Sequence, residues 1–336
     1  MAHIVCLIPG DGIGPEVTTA ARQVIEASGI NVEWVPLPAG ETGLEFCGSA
    51  LPERTIAAIA GHGVALKGPI TTPIARGHVS VNVQLRQRLS LFAAFRPVRN
   101  LPKVKSRYDN VNLIIVRENT EGLYSGLENE VIPGVIQSLK IATADASTRI
   151  SEFAFDYATK MKRKKVTVFH KANIMKKSDG LFLNCARKVY SGRSQDIGYE
   201  EMIIDNGCMQ LVRDPSQFDV LLLENFYGDI ISDLAAGMVG GPGMVPGANF
   251  GQSCAVFEPV HGSAPDIART NVANPLACIM SGVMMLRYLG EHQTADQICN
   301  AYEFVLREGN PENLTRDMGG TAGTEQFTEA VIRAMT

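Results

Sequence analysis

Asp229 and Asp233 stand four residues apart, just past the apolar run Val220 to Leu223 and the segment Asn225-Phe226-Tyr227-Gly228. On a helix, both carboxylates leave one face, while Ile230, Ile231, Leu234 and Met238 supply its buried side. One reading is an acidic first turn that complements the helix dipole. The other is a cation site, because neighbouring carboxylates repel unless a positive charge stands between them. Oxygen ligands with no His or Cys nearby suit Mg2+ or Mn2+ rather than zinc. Asp205, which ends the expected strand Glu201 to Ile204, is a candidate third oxygen.

Three arginines form the second set. Arg86 follows Asn82 by one helical turn, Arg96 ends a strand beginning at Leu91, and Arg117 ends the strand Asn112 to Val116. Ligands in open α/β sheets bind at the carboxyl ends of strands. Forked guanidiniums at such ends could grip a multiply charged acid. Gly10-Asp11-Gly12-Ile13-Gly14 sits between a strand and a helix, where a dinucleotide-binding loop would lie. Its glycines are spaced two and two, so G-x-G-x-x-G fails, and no acidic residue stands clearly at a strand end about 20 positions on. A tight strand-to-helix turn is the reading here, and a dinucleotide should bind elsewhere.

The elements that must position these groups alternate. Apolar runs predict strands at 3–8, 31–37, 64–69, 91–98, 111–117, 134–142, 166–170, 200–204, 218–223 and 254–258. Helical periodicity predicts a helix opening at Gly14-Pro15, then helices at 146–161, 178–190, 228–239, 275–289, 294–307 and 324–335. That alternation means an α/β protein with a largely parallel sheet. Residues 122–143 differ, reading as a hairpin-like arm with its turn at Pro133-Gly134, suited to pairing with a second subunit.

At 336 residues the chain should form two lobes. No apolar run reaches the roughly 18 residues that span a bilayer. The apolar segment from Ile4 follows Met1-Ala2-His3 with no basic leader, so the expected compartment is the cytoplasm. Seven scattered cysteines without Cys-x-x-Cys spacing argue against a disulfide framework or zinc site and for a reducing compartment. Net charge is −4, and the one basic run, Lys162 to Lys165, is expected to close a helix before Val166 to Phe169. Neither nucleic acid nor a membrane is an expected partner.

The same residues sit in longer strings. Gly10-Asp11-Gly12-Ile13-Gly14-Pro15-Glu16, Arg117 through Tyr124, His170-Lys171-Ala172-Asn173-Ile174-Met175, Tyr227 through Asp233 and His261 through Ala268 resemble the isocitrate/isopropylmalate dehydrogenase family, in order and over essentially the whole chain. The resemblance implies a non-Rossmann, isopropylmalate-dehydrogenase-like doubly wound sheet. A large domain (1–92 and 243–336) and a small domain (93–242) with a clasp arm (about 122–143) would form a homodimer with shared active sites, or a higher oligomer. It implies that Arg86, Arg96 and Arg117 clamp substrate carboxylates, that Asp229 and Asp233 hold Mg2+ or Mn2+ with the Asp205 of a second copy, and that Tyr124 and Lys171 handle protons. The implied reaction oxidises a 2-hydroxy acid by hydride transfer and then decarboxylates it.

Substrate and cofactor follow from the same likeness. Ser80 and Asn82, with Val81 between, are polar where an isopropyl group would want leucine, so the segment looks like the isocitrate members; homoisocitrate is the nearest rival. Asp266-Ile267 stands where NADP-using relatives carry Lys-Tyr, and its carboxylate suits ribose hydroxyls and repels a 2′-phosphate. With Ala273 small, NAD is expected. Its site would comprise Ile8, Thr71, Thr72, Asn82, Glu258, His261, Gly262, Ser263, Ala264, Pro265, Asp266, Ile267 and Asn274. Two departures stand out: Ala75-Arg76, where a loop is usually richer in glycine, and the bulky Phe226-Tyr227. A non-catalytic regulatory subunit is the rival of another class, but Tyr124, Lys171, Asp205, Asp229 and Asp233 are all present.

Overall fold

A computed structural model describes residues 2–73, 77, 79–193 and 196–335; Ala75-Arg76 lies outside them. The strands, in chain order, are β1 (His3–Ile8), β2 (Val32–Pro36), β3 (Val64–Lys67), β4 (Ala93–Arg99), β5 (Asn112–Glu118), β6 (Glu128–Ile132), β7 (Val135–Ser138), β8 (Lys165–His170), β9 (Gly198–Ile203), β10 (Val220–Leu223), β11 (Pro246–Phe250) and β12 (Ala255–Pro259). Ten form one sheet in the order β2-β1-β3-β12-β11-β4-β5-β10-β8-β9. Fully buried apolar runs such as Val220 to Leu223 suit strands covered on both faces.

The sheet is two parallel blocks of opposite direction. β2, β1, β3 and β12 run one way; β5, β10, β8 and β9 run the other. Between them β11 and β4 pair antiparallel with each other and with the flanking blocks. Helices cover both faces, so four apolar clusters form, two over each block. Val17, Ala21, Val24 and Ile25 of helix Gly14–Ala27 pack against helix Leu276–Tyr288 in the largest of them. The seam between the blocks is where side chains from oppositely directed strands meet.

Two expected placements are corrected. Arg96 lies in mid-strand rather than at a strand end, because β4 extends to Arg99 along its antiparallel ladder with β5. Asp205 does not end a strand: it lies in the first turn of helix Ile204–Arg213, entered from an extended Ile203. The arm is a two-stranded sheet of β6 and β7, and every residue of both strands is exposed. All seven cysteines are free, with Cys6, Cys185, Cys254 and Cys278 buried. In the basic run, Arg163 pairs with Asp219 and Lys165 with Glu200, and β8 begins at Lys165.

Candidate active site

Arg117 is the hub. It is 0% exposed, and its chain runs out of β5 beneath helix Asn225–Met238. Asn225 Oδ1 accepts from Arg117 Nε at 2.9 Å and from Nη2 at 2.7 Å, while Nη1 donates to Asp229. Gly228 is required for this approach, since a Cβ there would lie 2.5 Å from the Arg117 side chain. Glu224 caps the helix by accepting the N–H groups of Phe226 and Tyr227. The Tyr124 hydroxyl donates to the other oxygen of Asp229, and its ring lies 5.0 Å from the Arg117 guanidinium.

Electrostatics follow from crowding like charges at the seam. Burial lowers the Arg86 guanidinium to about 10, with Arg117 adding to the effect, and burial with Arg117 also lowers Arg96. Three guanidiniums crowded in this way favour an added anion among them. Burial alone would raise Asp229, but Arg117, Tyr124 and Arg96 hold it below the usual carboxylate range. Partial desolvation pushes Asp233 upward, with Arg96 opposing and Asp229 adding. A divalent cation beside the two acids would relieve that mutual repulsion, so the donor set fits one. Burial and the Asp229 hydrogen bond raise Tyr124, keeping its hydroxyl protonated near neutrality.

Lys171 and Asp205 stand apart from this group. Lys171 Nζ bonds Asp205 Oδ1 at 2.5 Å, and this lowers the Asp205 carboxyl. Among the described residues no three His, Cys, Asp or Glu side chains form a metal-binding group within one chain. Asp179 fixes the backbone before Lys171 by accepting its N–H at 2.7 Å, and also accepts the Tyr227 hydroxyl at 3.2 Å. The bulky Tyr227 therefore reaches Lys171 through one carboxylate.

The expected cofactor residues lie across the seam. Ile8 is buried at the end of β1. Thr71 Oγ1 donates to Ser263 Oγ at 2.8 Å, and Thr72 Oγ1 to Ser80 Oγ at 3.1 Å, which joins the 71–72 loop to the start of helix Val81–Arg88. Asn82 Oδ1 and His261 Nε2 are buried without partners, and burial lowers His261. Asn274 Nδ2 bonds Asp317 at 2.9 Å. Ala264 is left-handed, with φ 36°, ahead of the short turn Pro265–Ile267 that exposes Asp266 beyond Gly262.

Lys67, Asn119, Asn225 and Asn249 were not singled out from the sequence. Lys67 is 1% exposed and its Nζ lies 2.5 Å from Glu258 Oε2. Asn249 bonds Glu258 Oε1 at 2.7 Å and Asn119 at 2.9 Å. Burial alone would raise Glu258, but Lys67 and Arg86 bring it down to about 2. A lysine closing a wholly apolar strand, Val64-Ala65-Leu66-Lys67, was the available signal, because buried lysines demand a partner.

The structure is an α/β sheet of two opposed blocks with buried guanidiniums and carboxylates at their seam. The chain belongs to the isocitrate/isopropylmalate dehydrogenase family, which matches residues 4–331. It is similar to a mitochondrial NAD isocitrate dehydrogenase regulatory subunit from Dictyostelium discoideum, at 49% identity over 99% of this chain and 92% of that protein. Similarity to the mitochondrial NAD isocitrate dehydrogenase catalytic subunit 5 of Arabidopsis thaliana is 49% over 97% of this chain and 86% of that one. The crystal structure of isocitrate dehydrogenase from Methylococcus capsulatus superposes with a TM-score of 0.96 at 44% identity, covering 99% of each chain.

Proposed function

We propose that this protein oxidatively decarboxylates isocitrate to 2-oxoglutarate and CO2 with reduction of NAD, in a divalent-metal-dependent reaction. The convergence of buried Arg117 with Tyr124 and Asp229, flanked by Arg86 and Arg96, carries the reading. NAD, when bound, supplies the hydride acceptor and Mg2+ or Mn2+ the polarising charge. The chain's part is binding and proton handling. Arg86, Arg96 and Arg117 grip carboxylates in a site where burial strengthens each contact. Ser80 and Asn82 face the substituent that distinguishes the substrate, where the Ser80 hydroxyl and the Asn82 amide N–H groups can donate to a third carboxylate and offer no apolar surface to an isopropyl group. Tyr124 Oη holds a proton for return to carbon, and Lys171 Nζ serves a second copy's site.

NAD is received by Ile8, Thr71, Thr72, Asn82, Glu258, the 261–267 segment and Asn274, with Asp266 selecting against a 2′-phosphate. Asp229 and Asp233 hold the metal with the Asp205 of a second copy. Residues 1–92 and 243–336 make the large domain and 93–242 the small one. The fully exposed hairpin, with Val131, Ile132, Val135 and Ile136 at its surface, supports a homodimer: an isolated two-stranded hairpin is marginal in water. Free thiols fit the cytoplasm and equally the mitochondrial compartment in the relatives' names; cell fractionation distinguishes the two.

The test is NADH formation by the chain expressed alone, with isocitrate, homoisocitrate and 3-isopropylmalate compared, with and without a chelator. Isocitrate should lead homoisocitrate by about 10–200-fold in kcat/KM, the range one methylene commands. Preference for isopropylmalate would refute the role given to Asn82, and no turnover without a second chain type would favour a regulatory role. Asp266→Lys with Ile267→Tyr should raise kcat/KM for NADP relative to NAD by about tenfold or more; an unchanged ratio removes Asp266 from the cofactor site.

A further inference from the structure

Glu16 has no part in the chemistry above, yet both its oxygens are committed to a distant loop. It lies in the first turn of helix Gly14–Ala27. Oε2 accepts the backbone N–H of Arg269 at 2.6 Å, and Oε1 accepts that of Asn271 at 2.9 Å. Both residues are left-handed, with φ 61° and 56°, a conformation that costs non-glycine residues energy unless neighbours enforce it. The loop is held on its other side as well. Asn271 O accepts Thr324 N–H and Asn271 Oδ1 accepts Glu325 N–H, each at 3.0 Å. Thr324 Oγ1 donates to Ala273 O at 2.6 Å.

The start of the cofactor segment is anchored to the same helix. Ile13 N–H donates to Ser263 O at 2.8 Å. Gly12 packs so closely on that carbonyl that a Cβ would lie 2.0 Å from it. Asp266 and Ile267 thus sit on a span fixed at both ends, Ser263 and Arg269, by one turn of strand and helix. A carboxylate serving only the helix dipole would have no reason to turn both oxygens onto another segment.

We propose that Glu16 is a positioning residue that holds the 266–274 segment in the shape that receives the adenosine half of NAD. The proposal rests on the cofactor reading given above. The Gly10 to Glu16 stretch then serves the dinucleotide by holding the segment that receives it.

The experiment uses the full-length chain and its Glu16→Ala and Glu16→Gln variants. KM for NAD, KM for isocitrate and kcat are measured, with the NAD dissociation constant from calorimetry and melting temperature as a folding control. Glu16→Ala should raise KM and Kd for NAD about tenfold, leaving kcat at saturating NAD and KM for isocitrate within about twofold. Glu16→Gln should fall between, since its amide keeps one acceptor and opposes the other N–H with a donor. If Glu16→Ala does not fold, Glu16→Gln alone carries the comparison. Wild-type NAD affinity in both folded variants, or losses spread equally over kcat and both KM values, overturns the proposal. Wild-type protein that binds no NAD overturns the cofactor reading and this inference with it.

Discussion

Among the described residues Asp229 bonds Arg117 and Tyr124 of its own chain, so its charge matters to the site even before a cation arrives. Asp229→Asn keeps the shape and loses that charge. Metal-dependent turnover should vanish while the melting temperature stays within a few degrees, about the shift expected of a site outside the core; full activity in this variant would sink the metal assignment. Lys67 and Glu258 give the opposite case, a buried pair whose loss is structural. Lys67→Met strands a buried carboxylate and should cost about 3–5 kcal/mol, read by denaturant unfolding. The intact pair also sets a pH window. Glu258 falls from an ordinary value of 4.5 to about 2. Its contribution to stability is therefore complete above about 4.5 and fades as pH drops toward 2. Acid unfolding that shows no difference between wild type and Lys67→Met across that window would remove the pair from the stability argument.

Helix Asn225–Met238 shows what an element adds to its residues. Its N-terminus delivers Asn225 and Asp229 to one guanidinium, and only a glycine at 228 lets Arg117 pass beneath. Gly228→Ala should lower kcat/KM at least tenfold, because the guanidinium must shift from its carboxylate-binding position; an unaffected kcat/KM shows that the close approach is dispensable. The facing acids and this helix were legible in the sequence because periodicity and spacing are local. Asn225 was not, since its partner lies 108 residues away. β11 was missed as well: Pro246-Gly247-Ala248-Asn249-Phe250 has little strand propensity of its own, and its ladders with β4 and β12 supply the order. Asp205 was misplaced by one element because a strand that turns straight into a helix at Ile203 leaves no loop to mark the boundary. The arm's turn was read correctly from Pro133-Gly134, with Gly134 left-handed at φ 81°.

At the scale of the whole molecule, the seam between two opposed strand blocks brings Glu258 from one direction and Arg117 from the other within electrostatic reach of Arg86. No residue pattern announces that reversal, which arises from β11 and β4 inserted between the blocks. The alternation of strands and helices predicted a largely parallel sheet and the family likeness a doubly wound one, so neither contained the reversal. What the single chain keeps apart is equally telling: Lys171 bonds Asp205, and among the described residues neither bonds Arg117, Tyr124 or Asp229. If each reaction centre draws one group from each polypeptide, then two dead proteins make a live one. Asp229→Asn and Lys171→Met, each inert by itself, should on unfolding and refolding together recover about a quarter of wild-type activity, because half the pairs are mixed and each mixed pair holds one unspoiled centre. A mixture as inert as its parents would mean that every centre is built from one polypeptide.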